Sequence, residues 1–201
     1  DPAAPARIAA MLAHEGIVID ALVNNAGYGL GQPFTRATWP QEAAFLQVLL
    51  TSLVQLTHLF LPGMIERKWG RVLNVSSVAA FAPERPGDMY APVKTFVVRF
   101  SKSLALEVEG TGVHVTVLCP GFTYSEFHDV LGIRAEVSKT PKWMWMDAAT
   151  VARQGYDAVM AGKHIYVNGR VNRTIAALVR LLPQRLVYSI GRSAARTYRK
   201  A

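Results

Sequence analysis

Tyr90 and Lys94 stand four residues apart in a stretch with helical spacing, which puts both side chains on one helix face. A free tyrosine titrates near about pH 10. An ammonium beside it favours the phenolate and lowers that value, so the phenol can exchange a proton near neutrality. Ser77 follows a short aliphatic run and offers a hydroxyl to a substrate oxygen. Together the three groups would hold a carbonyl, protonate it as hydride arrives, or run the reverse. A Tyr-x-x-x-Lys pair alone is an ordinary helix surface, and Ser-Ser after a strand is ordinarily a cap. What gives them weight is where the surrounding elements place them.

The periodicity predicts a helix over 3–15, a buried strand over 17–23 (IVIDALV), and a turn at Asn24-Asn25-Ala26-Gly27. Residues 40–66 form a long helix, apolar on too many faces for a simple surface helix. Gln47, Gln55, His58 and Pro62 interrupt it, which argues against a membrane span. Strands follow at 71–76, 113–118 and 164–167, and helices at 89–109, 147–161, 171–182 and 184–200. Asp147 reads as an N-cap. Pro92 fits only a first helical turn, so Tyr90 belongs near its helix start. Strands alternating with helices imply βαβ units and a parallel sheet covered on both faces, with ligands beyond the carboxyl ends of the strands.

The chain has 201 residues, 51% of them apolar, enough for one domain with a sizeable core and against disorder. Its single cysteine, Cys119, permits no internal disulfide and favours a reducing, cytoplasmic setting. The opening DPAAPARIAA lacks the basic start and apolar run of a signal peptide. Residues 1–157 hold 13 Lys/Arg and 14 Asp/Glu; residues 158–201 hold nine Lys/Arg and no acid. The tail therefore carries the net charge of +8, and a whole-protein argument for nucleic acid fails. Nothing calls for a metal.

In four places the chain resembles the short-chain dehydrogenase/reductase family: NNAG at 24–27, GRVLNVSS at 70–77, YAPVK at 90–94 and PGF at 120–122. The step of thirteen from Ser77 to Tyr90 equals the family's own. The likeness covers residues 1 to about 169, a Rossmann-like α/β domain with a doubly wound parallel sheet, and leaves 170–201 as a helical extension. It implies Tyr90 as general acid/base, Lys94 as the lysine that lowers the tyrosine pKa and bonds the nicotinamide ribose, and Ser77 as the serine orienting the substrate carbonyl. It implies Asn25, Ala26 and Gly27 beside the cofactor's ribose, and Asn24 as a tie between strands. Pro120, Gly121 and Thr123 match the loop beside the nicotinamide, and Ser125 a further cofactor contact. The cofactor implied is NADP or NAD, NADP first.

Three departures stand out. The family opens on a Gly-rich turn that holds the pyrophosphate. Gly27-Tyr28-Gly29-Leu30-Gly31 follows the NNAG strand and is wrongly placed for that task. The family's Gly-rich turn, and the residue selecting NAD or NADP, are therefore not among these residues, and the sequence preceding Asp1 would show whether they exist. Leu49 takes the place of the family's fourth catalytic residue, an asparagine, and cannot hold the water that links the lysine to solvent. Proton relay would then run through Thr51 or Ser52. YAPVK also replaces the usual small and hydroxyl residues between Tyr and Lys.

Residues 122–146 match the family's variable substrate loop. Phe122, Tyr124, Phe127, Leu131, Ile133, Trp143 and Trp145 suit an apolar acyl, lipid or polycyclic substrate; the plainer reading has WMWM anchoring the loop. The tail reads as a basic amphipathic helix pair, either in peripheral contact with an anionic membrane or packed on the body with solvated arginines. Homo-oligomerisation through the 40–66 and 89–109 helices is the family expectation. The leading reading is an NAD(P)-dependent alcohol/carbonyl oxidoreductase. The competing one, motivated by Leu49 and the missing Gly-rich segment, is an impaired relative that binds a lipid or a protein.

Overall fold

The computed structural model describes residues 1–84, 86–130, 138 and 140–198. Leu131 and Ile133, and the end of the second tail helix at 199–200, lie outside the described residues. Helix α1 (Ala4–His14) leads to strand β1 (Ala21–Asn24). Helices α2 (Trp39–Leu46) and α3 (Ser52–Glu66) are joined by a wide π turn at Gln47–Thr51. Then come β2 (Gly70–Val75), α4 (Tyr90–Glu107) and β3 (Val113–Cys119). A two-stranded ladder of β4 (Thr123–Tyr124) and β5 (Met146–Asp147) brackets the short helix α5 (Phe127–Val130). Helix α6 (Ala148–Met160), β6 (Ile165–Val167), α7 (Arg170–Leu181) and α8 (Gln184–Tyr198) complete the chain.

Four parallel strands form the main sheet in the order β1-β2-β3-β6, so β1 is an outer strand. The register pairs Ala21 with Arg71 and Gly70 with Val113. The predicted strand over 17–23 is therefore shortened at its front. β2 begins only at Gly70, and Ile17 and Val18, with no strand beside them, are exposed.

Alternation along the strands supplies both faces of the core. Val72, Val113 and Val115 pack with Leu61 and Met64 of α3 and Leu104 of α4. Leu73 and Leu118 point the other way, onto Val151 and Val159 of α6. Each such buried aliphatic contributes about 1.5–3 kcal/mol. Segment 39–66 is long and apolar enough to cross a membrane, and one face of it packs into the core through Phe45, Leu53 and Met64.

A buried polar chain fixes the sheet to its helices. Asn24 Nδ2 donates to Asn74 Oδ1 (2.8 Å) and Thr57 Oγ1 (3.1 Å), and Asn74 Nδ2 donates to Ser101 Oγ (2.9 Å). The strand-tying task expected of Asn24 is thus visible in β1, β2, α3 and α4. Asp147 caps α6 as expected, accepting from Thr150 N at 2.9 Å.

Candidate active site

The loops after β1, β2 and β3 meet at the carboxyl edge of the sheet, where a parallel sheet offers a crevice. Ser77 leaves β2 in extended conformation and caps a short 3-10 turn, its Oγ accepting from Ala79 N at 3.1 Å. That leaves its own hydrogen free to turn toward the Tyr90 hydroxyl, whose pKa the Ser77 side chain lowers. Tyr90 is the first residue of α4, as Pro92 predicted. One turn on, Lys94 is 5% exposed, its Nζ donating to Val75 O at 2.8 Å and lying 5.6 Å from the Tyr90 ring centroid. Sequence spacing and structure agree on these three side chains.

Their electrostatics differ from the expectation. Burial pushes the Tyr90 phenol up to about 12; the Ser77 hydrogen bond pulls it back in part, and the Asp88 carboxylate raises it further. Burial also brings the Lys94 ammonium down to about 8, which neighbouring Cys119 partly offsets. Without a bound ligand, desolvation outweighs the expected lowering of the tyrosine by lysine. Tyr90 is held as a neutral acid.

Residues that sequence reasoning missed hold this trio. Asp88 accepts from Tyr90 N (3.1 Å) and Leu30 N (3.3 Å), joining the start of α4 to the loop after β1. An aspartate two residues before a helix is a cap signal and could have been read. Buried Ser76, not Ser77, locks β2 to α4: its Oγ donates to Lys94 O and its N to Leu118 O, both at 2.7 Å. Val78 N donates to Pro120 O at 2.9 Å, tying the serine turn to the loop after β3.

Asn25, Ala26 and Gly27 are exposed at the crevice. A Cβ on Gly27 would lie 3.6 Å from Leu49 Cγ and 3.7 Å from Lys94 Nζ. Leu49, 2% exposed, thus borders the lysine's pocket with a hydrocarbon wall. Ser52 offers no relay: its hydroxyl donates to Gln47 O at 2.7 Å within the π turn, and Thr51 is exposed. Such wide turns recur at functional sites.

Pro120, Gly121, Phe122 and Thr123 are half-buried, with Thr123 Oγ1 donating to Gly121 O at 3.1 Å. Asn172 of α7, another residue the sequence did not flag, fills the space behind Gly121. Ser125 Oγ accepts from Phe127 N at 3.4 Å. The Phe127 ring lies 5.6 Å from Tyr90. Trp145 stacks on Tyr124 (4.9 Å) and tilts onto Phe122 (5.3 Å), whereas Trp143 is 66% exposed. Phe127 is therefore set beside the reactive phenol, and Trp145 anchors the loop.

A nicotinamide dinucleotide fits these residues by its nicotinamide half. The buried ammonium has no ion-pair partner among the described residues, and its lowered pKa marks a group short of polar neighbours that ribose hydroxyls would supply. Gly27 lies beside it, in the exposed run of Asn25, Ala26 and Gly27.

Parallel sheet and crevice define a Rossmann-like scaffold that gathers Ser77, Tyr90 and Lys94, and the short chain dehydrogenase family model matches residues 4–133. The chain belongs to that family. It is 42% identical over 110 residues to a serine 3-dehydrogenase of Rhizobium radiobacter, covering 54% of this chain and 44% of that protein. Over 123 residues it is 38% identical to an NADP-dependent 3-hydroxy acid dehydrogenase of Escherichia coli, covering 60% and 50% respectively. The chain thus spans about half the length of these curated relatives. Among solved structures, a short-chain dehydrogenase from Sphingobium yanoikuyae in complex with NADPH matches with TM-score 0.76 and 25% identity, over 89% of this chain and 68% of that one. The closed form of a serine dehydrogenase complexed with NADP+ matches with TM-score 0.72 and 28% identity, over 83% and 71%.

Proposed function

We propose that this chain supplies the catalytic half of an NADP(H)-linked oxidoreductase that interconverts an alcohol and a carbonyl, with NAD as the alternative coenzyme. The observation that carries this reading is Tyr90 at the start of α4 with the buried Lys94 ammonium 5.6 Å from its ring, beside the turn that presents Ser77. When bound, the dinucleotide supplies or removes hydride at the substrate carbon. Ser77 orients the substrate oxygen. Tyr90, protonated throughout the neutral range, donates its proton to that oxygen as reduction proceeds. Lys94, titrating at about 8, stabilises the phenolate left behind and can return a proton to it. Oxidation runs these transfers backwards.

Phe127 against Tyr90 favours an apolar frame around the reacting carbon, such as an acyl, lipid or polycyclic compound. The names of the relatives above point instead to serine and 3-hydroxy acids. Exposed Leu59 on α3, with Phe96 and Leu106 on α4, suits pairing with a second copy.

The test is NADPH-dependent turnover by the full-length protein on apolar ketones and on small 3-oxo acids. Tyr90→Phe should lower turnover by about 10²–10⁴-fold with coenzyme binding retained. Full turnover in that variant refutes the mechanism. A higher kcat/KM for the small acids refutes the apolar assignment alone. Coenzyme binding without turnover on either class favours an impaired, partner-binding relative with Leu49 as the cause.

A further inference from the structure

Asn172, Ala176 and Gly191 of the tail face the body, while most of its large aliphatic side chains are exposed. In α7 the buried positions are Asn172 and Ala176. In α8, Gly191 comes so close to Glu84 that a Cβ would fall 2.4 Å from Glu84 O. Val171, Ile175 and Leu178 of α7, and Leu186 and Ile190 of α8, are between 40% and 57% exposed. A helix pair that merely packed on the body with solvated arginines would bury these aliphatics.

The same segment is strongly cationic. Residues 158–201 hold nine Lys/Arg and no acid, and Arg170, Arg185 and Arg192 are exposed. Both ion pairs among the described residues, Asp1–Arg7 and Asp20–Arg67, lie elsewhere. A second copy seated here would oppose one excess of +9 with another. Nucleic acid would satisfy the arginines and leave the aliphatic stripe in water. An anionic lipid surface accepts both, since headgroup phosphates take the arginines and the acyl boundary takes the aliphatics. Arg173 and Arg180 within α7, and Arg185, Arg192 and Arg196 within α8, leave neither helix apolar enough to span a bilayer.

We infer that α7 and α8 form a peripheral docking surface for anionic membranes, lying in the headgroup region while Asn172 and Gly191 hold them to the catalytic body. This rests on exposure and charge, and stands apart from the reaction assigned above.

The test is flotation of the full-length protein with vesicles of phosphatidylcholine alone and of phosphatidylcholine mixed with phosphatidylglycerol. Capture by the anionic vesicles only, weakened by salt, is expected. Ile175→Asp with Leu178→Asp should abolish it at unchanged melting temperature. Neutralising Arg170, Arg185 and Arg192 to Gln should weaken it by about fivefold per arginine at low salt. If the aspartate pair lowers the melting temperature, the glutamine set, whose sites are all exposed, decides. No capture by anionic vesicles, equal capture by neutral ones, or undiminished capture of the glutamine set overturns the inference. So does a fall in solution mass in the aspartate pair with no vesicle binding by the native protein, which would make the face an interface between copies.

Discussion

Gly121 and Asn172 are fitted to one another: a Cβ built on Gly121 would fall 2.3 Å from Asn172 Nδ2. Asn172 is held in place by its bond to Asn168 O at 2.9 Å, and Asn168 N reaches back to Cys119 O at 3.3 Å. The first turn of the tail is thereby wedged behind the loop that faces the crevice. Gly121→Ala should cost about 1–3 kcal/mol through overpacking. Adding Asn172→Ala should recover most of that loss, so a double-mutant cycle by urea denaturation should show strong coupling.

Lys94 trades stability for chemistry. It titrates at about 8 in the folded protein against an ordinary 10.5, because burial disfavours its charge. Between those values the unfolded chain holds the extra proton, so this group's contribution to stability rises with pH across that window. Lys94→Met should therefore stabilise the fold at neutral pH by about 1–3 kcal/mol. It should also flatten that part of the stability profile and abolish turnover. Denaturation curves at several pH values, with activity assays alongside, check each part.

Ser77 has two tasks that substitution separates. Ser77→Ala removes the cap on Ala79 N, worth about 1 kcal/mol. It also removes the hydrogen bond that lowers the Tyr90 pKa, so the phenol should titrate still higher. Ser77→Thr keeps the hydroxyl and should restore most of the turnover. Thermal melts read the first task and the kcat ratio of the two variants reads the second.

Leu49 is the wall beside the ammonium. Leu49→Asn places a polar group in the cluster of Phe45 and Val93 and should lower stability by about 1–3 kcal/mol. If the leucine limits proton relay, turnover should rise by about one order of magnitude. Unchanged kcat, with the melting temperature lowered, would show that proton relay does not limit the rate.

Much of the site was legible because its parts are local. Tyr90 and Lys94 share one helix face, Pro92 fixes that helix's start, and Ser77 closes a strand. What escaped depends on distance in the chain. The π turn at Gln47–Thr51 leaves no mark on an apolar periodicity that already covers several faces. The β4–β5 ladder joins residues more than twenty positions apart, each too short to read as a strand. Asn172 lies fifty-one positions from Gly121, and only folding reveals that they meet. The sign of the Tyr90 shift was misread for a related reason: the lysine four residues on was visible, while the burial that outweighs it belongs to the tertiary structure.

The outer position of β1 has a consequence for how the chain behaves at high concentration. One side of that strand is paired with β2; among the described residues nothing pairs with the other, and Val23, on the sheet face opposite Leu22, is 58% exposed. A free strand edge with apolar neighbours such as Ile17 and Val18 is a template for capture of another strand, the first step of edge-to-edge aggregation. Residues 1–201 prepared alone should therefore lose solubility through this edge, and a lysine at Val23 would act as a gatekeeper that restores it.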